Sequence, residues 1–141
     1  MESILNYIKF NENISTAGQP NSKEFKKIAK KGFDVVINLA LSESTNALKN
    51  EGKVVTKNKM SYIHIPISWK KPEKEKLQLF LKILKVLQKE NKKVFIHCAK
   101  NYRVSVFMYH YKKQIVKEKE PKLLAPKDFR INKTWKKFLL S

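Results

Sequence analysis

Apolar residues recur along this chain in two rhythms, one of short continuous runs and one of three- and four-residue steps, and the two alternate. The runs are Ile14 to Ala17, Phe33 to Leu39, Met60 to Ile67 and Val94 to His97. Phe33 to Leu39 is the strongest, nearly continuous in Val and Ile; Ile14 to Ala17 is a short one ended by the Gly18-Gln19-Pro20 turn; each is bounded by polar or turn residues, the pattern of a strand. Between them lie helical spacings. Asn21 or Ser22 caps a segment whose Phe25, Ile28 and Ala29 share a face, and Gly32 stands where that helix ends. Ser42 to Asn50 is expected as a modest helix closed near Gly52. Pro72 and Glu73 open the longest one, to about Glu90, with Leu77, Phe80, Leu81, Leu84 and Leu87 as its buried stripe. After Val94 to His97, the residues Val104, Phe107, Met108 and Tyr111 mark a helix face running to about Lys117. A charged break then leads to a tail, Pro126 to Leu140, in which Trp135, Phe138 and Leu139 share a face and clamp the tail to the body. Ile4 to Phe10 alternates and reads equally as an edge strand or a short helix.

Strand alternating with helix predicts an α/β fold: a mainly parallel central sheet of four to five strands with helices on both faces. No internal repeat or linker divides the chain, so residues 1–141 are expected to form a single domain. Ligands of such sheets bind beyond the carboxyl ends of the strands. Two segments leave such ends with reactive or aromatic residues, Cys98 and the Ser68-Trp69 loop.

The stretch Val94 to Ser105, V-F-I-H-C-A-K-N-Y-R-V-S, holds the only cysteine and one of the two arginines, five residues apart. Its strand ends at Cys98, so Cys98 to Arg103 is expected as a strand-to-helix turn. A loop entering a helix leaves backbone N–H groups without partners and adds the positive end of the helix dipole, which suits an anion. A thiol there loses its proton more readily than a free cysteine. Arg103 can grip two oxygens of a tetrahedral oxyanion, which a lysine cannot. Asn101, in a loop without glycine, is the residue suited to a left-handed conformation.

H-C-A-K-N-Y-R-V-S resembles the signature of cysteine-dependent protein tyrosine and dual-specificity phosphatases. With the Gly18-Gln19-Pro20 turn, the chain looks like the small bacterial phosphatase-like proteins of that superfamily. The resemblance implies a phosphatase-like fold and hydrolysis of phosphate monoesters through a phosphocysteine intermediate. It implies a nucleophile at Cys98, a phosphate-binding arginine at Arg103, and a hydroxyl at Ser105 that assists departure of the thiolate. It also implies substrate binding by His97, Ala99, Lys100, Asn101 and Tyr102, with His97 orienting the loop and Trp69 lining the pocket, and it places Gln19 nearby. No cofactor is implied, and the partner is a phosphate monoester, either a phosphoprotein or a small phosphorylated molecule.

Two departures from the family pattern leave alternatives open. Four residues, not five, separate Cys98 from Arg103. The loop is then either shortened, as in rhodanese-type sulfurtransferases that carry a persulfide, or of normal length with its arginine displaced and Val104 in the usual arginine place. Further, Ser68 stands where the family's aspartate acid is expected, and the only aspartates, Asp34 and Asp128, lie elsewhere. The rivals are therefore a sulfurtransferase using a Cys98 persulfide and a non-catalytic module binding phosphate or polyanions.

Composition narrows the partners. The formal charge is +19, but 29 of the 31 basic residues are lysines spread along the whole chain, without an arginine-rich or aromatic-basic patch. Scattered lysines mostly solvate helix faces, so nucleic acid is not the expected partner. No second cysteine or carboxylate cluster accompanies His64, His97 or His110, so no metal site is expected. No run is apolar enough for a membrane span. One unpaired cysteine and an N-terminus without signal-peptide architecture lead us to expect a cytoplasmic location, with the oligomeric state open.

Overall fold

A computed structural model describes residues 1–141. Its sheet has five strands in the order β1-β2-β5-β3-β4: β1 (Ile8–Lys9), β2 (Ile14–Ala17), β3 (Val35–Asn38), β4 (Ser61–His64) and β5 (Val94–His97). All pairings are parallel except that of β1, the antiparallel edge. The central strand β5 pairs Thr16 with Ile96 on one side and Ile37 with Ile96 on the other. It is buried along its whole length, which is why its sequence is apolar rather than alternating. The ambiguous N-terminal segment thus resolves as a short edge strand.

Helices cover both faces. On one face α1 (Ser22–Lys30) and α2 (Glu51–Lys57) close a core of Phe25, Ile28, Val36, Val55 and Phe95. On the other, α3 (Lys74–Lys89), α4 (Tyr102–His110) and α5 (Lys133–Leu140) close a larger core that includes Ile37, Phe80, Ile96, Phe107 and Trp135. Asn21 caps α1 in a reciprocal box with Glu24, worth about 1 kcal/mol. Gly32, at φ 87°, ends it as expected. A π-helical turn, Tyr111–Ile115, extends α4.

Two expectations are corrected. The helix anticipated over Ser42 to Asn50 is absent; those residues form turns, and α2 begins only at Glu51. The reason is local: Asn50 takes a left-handed conformation at φ 57°, which breaks any helix before it. Gly52, expected as a terminator, lies inside α2, where a Cβ would come within 3.0 Å of the Tyr62 ring. The second correction concerns the strand-to-helix turn, which is shorter than expected. Asn101 is left-handed at φ 67°, and α4 starts at Tyr102, so Arg103 belongs to the helix's first turn.

Candidate active site at the end of the central strand

The segment Cys98 to Asn101 leaves β5 and doubles back into α4. The backbone N–H groups of Ala99, Lys100, Tyr102, Arg103 and Val104 donate to no protein acceptor. Their carbonyl groups do find partners on the outside: Ala99 O accepts from Gln19 N at 3.0 Å and from Asn46 Nδ2 at 2.9 Å, and Lys100 O accepts from Asn6 Nδ2 at 3.0 Å. Carbonyls tied outward and N–H groups left over make a nest for an anion at the positive end of α4.

Side chains hold this shape. Asn101 Nδ2 donates to Asn6 O at 2.9 Å and Thr16 Oγ1 at 3.0 Å, which fixes the left-handed residue from behind. The Ser105 hydroxyl, to which the resemblance gives a task at the thiolate, commits its proton to Asn101 O at 2.6 Å. Gly18 lets the Gly18-Gln19-Pro20 turn lie against the loop, because a Cβ there would meet Ala99 O at 2.8 Å and the Leu5 side chain at 2.9 Å. We expect Gly18→Ala to cost about 1–3 kcal/mol, since a backbone carbonyl cannot yield as a flexible side chain does. Thermal melting in the presence and absence of inorganic phosphate checks this, with the phosphate-dependent stabilisation also reduced.

Of the residues singled out from sequence, Trp69, Ala99, Lys100, Tyr102 and Arg103 together line a cavity of ≈ 240 Å³ over the loop. Cys98 is not among the lining residues and is fully buried, packed among core residues. Arg103 is 7% exposed as a residue, and its guanidinium donates through Nη1 to Ile67 O at 2.9 Å. This pins it to the segment that follows β4. Val104 is buried in the core. The loop is therefore shortened rather than displaced, and the arginine facing the cavity is Arg103.

His97 does not line the cavity; it lies fully buried behind the loop. Its Nδ1 is 3.1 Å from Cys98 O and its Nε2 is 2.7 Å from Glu51 Oε2. Both ring nitrogens thus face oxygen atoms, a carbonyl on one side and a carboxylate on the other. Glu51 Oε1 accepts from Gln19 Nε2 at 2.6 Å. Burial pushes the Glu51 carboxyl up, but the hydrogen bond and charge of His97, then bonds from Gln19 and Tyr62, outweigh it and hold the carboxyl below its ordinary value. Burial, against an opposing bond from Asn38, pushes the Tyr62 phenol up to about 12.

Because the folded Glu51 value is depressed, its stabilisation is present above the ordinary carboxylate range and is lost as pH falls through the lowered value. Glu51→Gln is expected to cost about 1–3 kcal/mol near pH 7. The gap from wild type should then close below about pH 4. Urea unfolding at a series of pH values checks both statements.

Three residues escaped the sequence reading. Glu51 gave no motif, since it lay beside the expected end of a helix that is absent. Asn6 reaches the loop from 94 residues away. Asp128 accepts from the same Asn6 amide at 3.4 Å; its only signal was scarcity, as one of two aspartates.

A thiol at the end of the central parallel strand, an N–H-lined turn and a guanidinium on the following helix define a cysteine-based phosphatase of the protein tyrosine and dual-specificity class. The chain belongs to the family of dual-specificity-type phosphatases fused to NAD+ kinase, which it matches over residues 8–136. It is similar to a DUF442 candidate phosphatase of Shewanella putrefaciens CN-32, with 31% identity over 99% of this chain and 91% of that one and a TM-score of 0.87. Its fold is also that of Tk-PTP, at 22% identity over 77% and 72% of the two chains and TM-score 0.65. The same holds for TpbA of Pseudomonas aeruginosa, crystallised with phosphotyrosine, at 12% identity over 81% and 66% and TM-score 0.67. No functionally curated protein matches the chain. These likenesses favour neither the sulfurtransferase nor the non-catalytic alternative. No helix is long and apolar enough to cross a membrane.

Proposed function

We propose that the protein hydrolyses phosphate monoesters on aromatic leaving groups, with Cys98 as nucleophile. The observation that carries this reading is the row of unpaired N–H groups from Ala99 to Val104 curled at the strand end that bears the thiol. Three non-bridging phosphate oxygens suit such a nest, and the Arg103 fork adds a bidentate grip. The Cys98 thiolate attacks phosphorus, the Sγ–P bond forms as the ester P–O bond breaks, and the leaving oxygen takes up a proton. Water then attacks the phosphocysteine, gives up a proton, and releases inorganic phosphate and the thiolate.

The walls favour an aryl group. The rings of Trp69 and Tyr102, a tilted pair with centroids 6.2 Å apart, both line the cavity and offer aromatic surface to an aryl group. His97 acts on the loop rather than on substrate, through the Cys98 carbonyl. The reading treats residues 1–141 as one catalytic unit, since Asn6 from one end and the segment around Asp128 from the other both meet the loop. It also places the protein in a reducing compartment such as the cytoplasm, where a lone nucleophilic thiol persists.

The test is phosphate release from p-nitrophenyl phosphate and from a phosphotyrosine peptide, with an alkyl phosphate such as glycerol phosphate as comparison. Cys98-dependent turnover of the aryl esters, well above the alkyl ester, is expected. Turnover that persists without the thiol would sink the mechanism; equal rates on aryl and alkyl esters would sink the aromatic preference.

A further inference from the structure

The segment following β4, from Ile65 to Pro72, contains no carboxylate. The Ser68 hydroxyl accepts from Lys71 N at 3.1 Å. Glu73, at the start of α3, pairs with Lys76 at 3.4 Å, and Glu51 is held by His97 behind the loop. A different carboxylate comes to the loop from the far end of the chain. Asn6 Nδ2 donates both to Lys100 O of the loop and to Asp128 Oδ1, so one side-chain amide links that carboxylate to the loop backbone.

The Tyr102 ring, which lines the cavity, reports the same neighbourhood. Burial, then a hydrogen bond to Asp128 and its charge, push the Tyr102 phenol up; Arg130 opposes this and the Cys98 charge adds to it. The phenol therefore lies within electrostatic reach of both the carboxylate and the nucleophile. Asp128 itself is exposed at a turn, yet the residues that follow it are anchored at two points. Phe129 stacks on Tyr102 with ring centroids 4.6 Å apart at 10°. Downstream, Trp135 is fully buried and donates through Nε1 to Trp69 O at 2.7 Å. The same C-terminal strap thus braces both aromatic walls of the cavity and carries the carboxylate.

We propose that Asp128 is the general acid of the reaction, supplied by the C-terminal strap in place of the segment after β4. Its carboxyl gives a proton to the leaving oxygen as the Sγ–P bond forms and the ester P–O bond breaks. The resulting carboxylate takes a proton from the water that then cleaves the phosphocysteine, which restores the acid. The Tyr102 phenol on α4 is its partner and also feels Arg130 and Cys98, and Lys127 and Arg130 flank it on the strap itself. This inference rests on the phosphatase reading above.

The experiment compares wild type, Asp128→Asn and Asp128→Glu on p-nitrophenyl phosphate and phenyl phosphate across pH 5 to 8, with Cys98→Ser as the thiol control. Nitrophenolate departs without help, whereas phenolate needs a proton. Asp128→Asn should lower kcat/KM on phenyl phosphate by about 10²-fold or more, and on p-nitrophenyl phosphate by less than about tenfold. Asp128→Glu should recover part of the phenyl phosphate turnover, and neither variant should change the melting temperature. Equal losses on both esters, or Cys98-dependent turnover untouched by Asp128→Asn, overturn the acid and leave the phosphatase reading standing. Absence of Cys98-dependent turnover in the wild type overturns both.

Discussion

Cys98→Ser is expected to lower turnover of p-nitrophenyl phosphate by at least about 10³-fold. The substitution is nearly isosteric, and the buried position beneath the loop keeps its packing. What changes is the availability of an anion. A thiolate is a far stronger nucleophile towards phosphorus than a serine hydroxyl, which stays protonated at any working pH. The nest itself survives, because it is made of backbone held by Asn6, Gln19 and Asn46 from outside. Oxyanion binding should therefore persist in the variant, measurable as stabilisation against heat by inorganic phosphate or vanadate. Loss of turnover with retained oxyanion binding separates the chemical step from assembly of the site. A variant that still turns over within tenfold of wild type would exclude the thiol as nucleophile.

The fold was legible wherever one residue pattern had one structural use. The run at Val94 matches its strand at both ends, because a parallel strand covered on both faces is almost continuously apolar, and the run at Ile14 matches because the Gly18-Gln19-Pro20 turn marks its end. The stripe of α3 and the clamp of Trp135 and Phe138 were equally plain, each being a single helix face against one core. The failure at Ser42 to Asn50 came from a segment with no strong stripe, where a left-handed asparagine decides the outcome. Helix propensity could not register that choice, since an asparagine in sequence gives no sign of its φ angle.

The site divides along the same line. Cys98, Asn101 and Arg103 are close in sequence, and their spacing against a strand and a helix stripe made the loop visible. Sequence could not say whether Arg103 or the Val104 position faces the substrate, because that depends on where the first helical turn starts. The left-handed Asn101 starts it at Tyr102 and turns Val104 into the core. Asn6, Glu51 and Asp128 are joined to the loop only by tertiary hydrogen bonds across 46 to 122 residues. No local pattern announces such partners.

That geometry sets the expectation for Arg103→Lys, which keeps the charge but removes the fork. In wild type Nη1 is spent on Ile67 O, and the rest of the planar group is left to face the cavity over the loop. One arm braces the segment that carries Trp69 while the other binds oxygen, so position and charge are fixed together. A lysine can serve either Ile67 O or the phosphate, but not both, and its more strongly hydrated ammonium resists a site only 7% exposed. We expect kcat/KM on p-nitrophenyl phosphate to fall by about 10²–10³-fold. Most of the loss should appear in kcat, because the fork fits the planar equatorial oxygens of the transition state better than the ground-state tetrahedron. Arg103→Ala should lose at least as much, with KM rising as well. Steady-state kinetics on both variants read the split directly. A lysine variant with unchanged kcat would show that the guanidinium serves only to attract the substrate, and the work of holding the transferring phosphoryl group would then fall to the backbone nest alone.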